Sequence, residues 1–133
     1  MSGERDLTRL LETIQPELRP GRFVFTTVTR PPEGVDPVAL VREDEGVTLV
    51  LAQDDADRLS LPYDYVAAMV TLRVHSSLDA VGLTAAVART LADEEISCNV
   101  MSGFFHDHLF VPLDQGPRVV ALLRDLAPVR GGR

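Results

Sequence analysis

Lysine and tryptophan are missing from this 133-residue chain, and cysteine occurs once. One thiol rules out an internal disulfide framework, so the fold must rest on its core. Every cation is arginine, no basic run appears anywhere, and the net charge is −7. Phosphate binding needs clustered cations, so a nucleic-acid binder is excluded. The apolar runs fall far short of the roughly 20 residues that cross a bilayer. Nothing ahead of the first helical pattern resembles a signal peptide, and the expectation is a cytoplasmic protein with no membrane partner. What is present suits a soluble globular fold: 45% hydrophobic and 25% charged residues, in a length that serves one ordinary domain or two very small ones.

Over residues 6–15, Leu7, Leu10, Leu11 and Ile14 recur at helical spacing. Asp6 stands where a carboxylate caps a first turn, and Pro16 with Pro20-Gly21 ends the segment. Residues 22–29 are β-branched and aromatic, which predicts a strand. Residues 38–43 and 47–52 predict a hairpin about Asp44-Glu45-Gly46. Its acidic turn lacks the ligand spacing of a calcium loop and is read as a solvated turn. Residues 54–59 predict a short helix capped by Asp54 or Asp55. A long strand is expected over residues 65–76. Val66, Ala68, Val70, Leu72 and Val74 would lie on a helix-covered face; Ala67, Met69, Thr71, Arg73 and His75 would lie on a face that is solvated or packed against a partner. The strongest helical pattern joins Leu83, Ala86, Val87, Thr90 and Leu91, with Asp79 as the expected cap and Gly82 permitting close approach. Residues 96–112 read as a strand, a tight return at Gly103 and a second strand. Gly116-Pro117 opens a last helix with Val119, Leu122, Leu123 and Leu126 as its stripe, and the tail from Pro128 is expected to fray.

From residue 65 onward the order is β-α-β-β-α, and residues 1–64 read as a related αββα run without a leading strand. The fold class is therefore α+β: two interlocked ferredoxin-like halves, residues 1–64 and 65–133, with antiparallel sheets and helices on one face. Right-handed crossover places the strand 106–112 between the other two. Its ends then bring residues 75–76, 101–103, 106 and 108 to one edge, overhung by the loop 77–81. All three histidines fall there.

Asp79-Ala80-Val81-Gly82-Leu83, a leucine-rich helix and then Ile96-Ser97 resemble the Asp-x-Pro-Gly-x-Leu opening of ACT domains. Val81 stands where proline is common there, and Glu95 where glycine usually precedes the isoleucine. Ser76-Ser77-Leu78, Val81-Gly82-Leu83, Ile96-Ser97-Cys98-Asn99-Val100 and the run from His106 to Pro112 are similar to a family of small bacterial tandem-ACT proteins. That resemblance implies a regulatory module with an amino-acid-type ligand and a homodimer.

The resulting expectation is a non-enzymatic protein with no cofactor, whose ligand-binding residues are Ser76, Ser77, Leu78, Val81, Gly82, Asn99, Met101, Ser102, Gly103, His106, Asp107 and His108. Amides at the helix start near Gly82 would hold a carboxylate; Asn99, Ser102 and Asp107 would meet an ammonium group. A regulated enzyme would have to be a separate protein. The rival reading is a transition-metal site of His75, His106 and His108, because His-x-His puts two imidazoles on one strand face. Cys98 with Asn99 and His106, or Ser102 with His106 and Asp107, supply hydrolase residue types without a nucleophile context. The plain alternative is a packed hairpin: Cys98 as a small apolar residue, Phe104 and Phe105 as a plug or dimer contact.

Overall fold

The computed structural model describes residues 3, 5–74 and 78–126. The first helix, α1 (Leu7–Thr13), starts as anticipated: the Asp6 carboxylate accepts from the amides of Thr8 at 2.9 Å and Arg9 at 3.4 Å. It is followed by a strand that the prolines concealed, β1 (Pro16–Leu18). The amide of Arg19 donates to Met69 and that of Arg73 to Gln15. Residues 15, 17 and 19 therefore face the neighbouring strand, and Pro16, which has no N–H to offer, falls on the outward parity where none is needed.

Seven strands form one sheet. After β1 come β2 (Phe23–Val28), β3 (Ala39–Glu43), β4 (Gly46–Ala52), β5 (Val66–Leu72), β6 (Asn99–Ser102) and β7 (Asp107–Pro112), in the spatial order β3-β4-β2-β5-β7-β6 with β1 beside β5. Read from its centre that order is a palindrome. β2-β4-β3 runs outward one way and β5-β7-β6 the other, around the antiparallel contact in which Phe23 faces Ala67 and Val24 faces Val66. The two halves are thus equivalent, with β2 matching β5. The first half does not lack a leading strand: β2 is that strand. What it lacks is a helix, because the loop 29–38 stands where the second half has α3 (Leu83–Asp93). The halves also close each other. β1 and the start of β2 lie end to end along one edge of β5, in the position a ferredoxin-like half gives to its final strand.

Two cap expectations fail for related reasons. α2 (Gln53–Arg58) has Ala52 at its N-cap, so Asp54 and Asp55 sit inside the first turn, where they favour the helix dipole without closing an amide. α3 is preceded by Gly82 at φ 103° with no side-chain cap, while the Asp79 carboxylate pairs with Arg5 at 3.0 Å. The last helix, α4 (Gly116–Arg124), has Pro117 in its first turn as expected, after a single 3-10 turn at Leu113–Gln115. The tail from Pro128 lies outside the described residues.

Glu95 is at φ 58°, in the left-handed region, and the amide of Ile96 reaches back to the Leu91 carbonyl at 2.9 Å. This is the helix-ending geometry that glycine serves best. Glu95→Gly is accordingly expected to raise stability by about 0.5–1 kcal/mol, since it removes the Cβ strain of a left-handed residue; urea denaturation measures it.

The core has three parts. Ala68, Val70, Leu72, Val74, Leu109 and Val111 carry α1, α3 and α4 on one face of β5 and β7. On the same face of the first half, Val24, Leu49 and Leu51 carry α2 through Ala56. The opposite face is neither solvated nor in need of a partner around its centre. Val50, Ala67, Met69 and Phe110 are buried there, and Thr71 is wholly inaccessible. Phe23 and Phe25 supply the cover, each ring edge-on to Phe110 with centroids at 6.3 and 5.5 Å.

Candidate functional site

The register of β6 and β7 sorts the predicted site residues onto two faces. Asp107 lies opposite Leu72 on one side and Ser102 on the other, and this row shares the helix-bearing face with Leu109 and Val111. His108 lies between Thr71 and Met101, on the face of Phe110. Asn99 is opposite Phe110, about 10 Å along β6 from Ser102 and on the other face. Ser102 and Asp107 therefore sit at the strand ends nearest the start of α3, whereas Asn99 is removed from them. His75, Ser76 and Ser77 lie outside the described residues.

The return between β6 and β7 spans residues 103–106 and carries Phe104 and Phe105 at its tip, edge-on to each other at 5.1 Å. Both are more than 60% exposed, and so are Leu78 and Val81. At the base of this return the Gly103 amide donates to the His106 carbonyl at 2.8 Å. A Cβ on Gly103 would stand 3.0 Å from that oxygen and 3.4 Å from His108 Nε2, so the imidazole lies in the space that glycine leaves.

His108 is held by more than its strand. Its Nδ1 is 3.0 Å from the buried Thr71 hydroxyl, which donates when Nδ1 is bare and accepts when it is protonated. Burial first, and the neighbouring His106 second, lower the His108 pKa, so the neutral ring is favoured. His106 keeps a buried Nδ1 with no hydrogen-bond partner. Among the described residues, no group of three or more His, Cys, Asp or Glu side chains is arranged to hold a metal ion. Cys98 packs against the helix-bearing core, and burial pushes its thiol up to about 11. A thiol so fully protonated at neutral pH is a poor nucleophile.

The start of α3 is the most unusual backbone in this region. Gly82 takes a left-handed conformation, and no side chain closes the first amides of the helix. α1 lies directly over it: a Cβ at Gly82 would be 3.0 Å from Leu7 Cδ2. The Arg5–Asp79 pair ties the same two segments. The N-terminal segment thus packs against this loop at Asp79 and Gly82 and leaves Leu78 and Val81 exposed.

Concave regions away from this end include three that none of the predicted residues lines. One, of about 900 Å³, runs between β1 and α4 and is lined by Ile14, Glu17, Arg73, Val120 and Arg124 among others. A second of about 580 Å³ is bordered by Phe25, Thr48, Pro62 and Tyr63, and a third of about 500 Å³ by Gly21, Arg22, Gln53 and Asp54. The first escaped sequence reasoning because Pro16 and Pro20 mask β1. The available signal was the alternation of Pro16 and Leu18 with Gln15, Glu17 and Arg19. No helix among the described residues is long and apolar enough to cross a membrane.

Residues 2–68 match one family described as an ACT domain, and residues 66–125 match a second with the same description. Among solved structures, a protein of unknown function from Vibrio cholerae, described as a possible transport protein, is 40% identical. The match covers 92% of this chain and 96% of that one, with a TM-score of 0.83. A protein from Agrobacterium tumefaciens is 20% identical over 86% of this chain and 89% of its own, with a TM-score of 0.68. The ligand-free regulatory subunit of aspartate kinase from Thermus thermophilus has the same fold at 7% identity. It covers 90% of this chain and 99% of that one with a TM-score of 0.66. No curated protein matches.

Proposed function

This chain belongs to the ACT-domain family, and from that premise we propose that it is a non-enzymatic regulatory protein whose effector is an amino acid. Its two halves, residues 1–64 and 65–133, form one ligand-responsive unit in the cytoplasm. The effector sits at the Gly82 end, among Leu78, Val81, Gly82, Met101, Ser102, Gly103, His106, Asp107 and His108, with Asn99 at the margin; Ser76 and Ser77 of the expected set lie outside the described residues. The observation that carries this reading is the left-handed Gly82 ahead of an eleven-residue helix with no side-chain cap. Such a start presents amides and the positive end of a helix dipole to a carboxylate. Asp107 and Ser102, paired across the hairpin, offer an acceptor for the ammonium group. The output is association: Leu78, Val81, Phe104 and Phe105 form an exposed apolar rim at this end, suited to a second copy or to a separate regulated protein.

A thermal-shift screen of the standard amino acids and divalent metals tests it. At a hundredfold excess over its Kd, the effector is expected to stabilise the fold by about 2.7 kcal/mol, a rise of several degrees in Tm. Asp107→Asn should weaken that response while leaving the unliganded Tm near its starting value. Silence toward every amino acid beside a strong metal response would overturn the reading in favour of a site using His75, His106 and His108.

A further inference from the structure

β2 runs on beyond its partner in the second half. β4 holds it as far as Val28, opposite Val47, whereas β5 leaves it after the pair Val24–Val66. Residues 62–64 do not continue the ladder. Pro62 instead meets β2 through its carbonyl, which accepts from the Thr26 hydroxyl at 2.6 Å. A cleft of about 580 Å³ lies at this gap. The Arg22 carbonyl accepts from the Gln53 amide on the β4 side. Alternation therefore turns the main chain of Thr27 the other way, where no described strand pairs with it.

The hydroxyls around the cleft have spent their hydrogens. A hydroxyl carries one hydrogen and two lone pairs. Those of Thr26, Thr48 and Tyr63 donate to the Pro62 carbonyl, the Glu43 carboxylate and the Asp57 carboxylate. The Thr26 and Thr48 oxygens keep lone pairs and no spare hydrogen. Asp64 borders the cleft and is exposed; it makes no side-chain hydrogen bond or ion pair among the described residues. Between the polar groups stand Phe25, Pro62 and Tyr63, and no arginine lines the cleft. Thr48 lies beside Thr27 on one side of β2, and Asp64 belongs to the chain on the other. The two ends are thus about two strand spacings apart, roughly 10 Å.

A carboxylate at each end, acceptor oxygens and aromatic rings between them suit a linear dication and repel a carboxylate ligand. We propose that the cleft between β2 and residues 62–64 is a binding site for a linear aliphatic diamine. One ammonium group meets Asp64 and the Thr27 carbonyl. The other meets the Thr48 oxygen and Glu43 behind it. The hydrocarbon chain lies against Phe25, Pro62 and Tyr63. This site shares no residue with the Gly82 end and does not rest on the effector placed there.

Amide NMR titration of the whole chain with 1,6-diaminohexane reads the site directly. The amides of Thr27, Thr48 and Asp64 are expected to shift and saturate, and about 1 M salt should weaken the binding by screening. Asp64→Asn and Glu43→Gln should each weaken it about threefold or more, the upper range for an exposed charge pair. Both positions are exposed, so the fold should survive either change. n-Hexylamine, with one charge, should bind more weakly than the diamine, and hexanedioate should not bind. No shift at the cleft up to about 10 mM diamine, a range that covers even weak millimolar binding, would overturn the site. Equal binding of uncharged 1-hexanol would do so too, because the cleft would then read only hydrocarbon. Shifts confined to Gly82 and Ser102 would also overturn it, since the two sites have no residue in common.

Discussion

Phe110→Ala is expected to lower stability by about 3–5 kcal/mol, the usual cost of emptying a buried aromatic position. Phe110 is wholly inaccessible, and its strand belongs to the second half of the chain. The rings that meet it edge-on, Phe23 and Phe25, belong to the first. Truncation therefore removes the transfer energy of one ring and two oriented aromatic contacts, each worth about 0.5–1.5 kcal/mol beyond its area. Because the first half meets β5 through β1 and only the start of β2, part of this loss falls on the joint between the halves. Urea denaturation with far- and near-ultraviolet circular dichroism measures it, and Phe110→Leu should recover part of the loss. A change below about 1 kcal/mol would mean that this face is not a core.

The second large effect opposes helix propensity. Gly116 is the first residue of α4 with φ −52°, an ordinary helical value, so alanine there meets no backbone penalty. The expected result is a loss of about 1–3 kcal/mol, the range for overpacking a filled site. The added Cβ would stand 2.8 Å from Leu18 Cδ1 and 3.1 Å from Ala68 Cβ. The leucine end can shift, but the alanine methyl is fixed to the backbone of β5. Leu18→Ala in the same chain should therefore restore only part of the stability, and thermal denaturation of the three variants decides it. A gain in Gly116→Ala would show that α4 does not lie so close to β1.

Periodicity was a good guide wherever one element decided its own structure. The leucine stripe of α3, the alternation within β5 and the hairpin of β6 and β7 needed no neighbours to be legible, because burial on one face repeats at 3.6 or 2 residues. The antiparallel return between parallel strands also followed from chirality, so the order β5-β7-β6 was legible too. The motif about Asp79–Leu83 led to the family. The glycine that family prefers before Ile96 is explained by Glu95, which takes the left-handed conformation without being glycine.

Other features needed the assembled chain. β1 is three residues long between prolines, and only β5 gives its main chain partners. Whether Ala67 and Met69 would meet water depended on Phe23 and Phe25, more than forty positions away, packing on that face. Asp79 looked like a cap until Arg5 claimed it. The chain's own order thus determined the secondary elements, the second half's topology and the family. Tertiary structure decided the mutual closure of the halves, the covering of the second sheet face, and the groove at β1. Each of these arises from contacts between segments distant in sequence, and local patterning carries no record of such contacts.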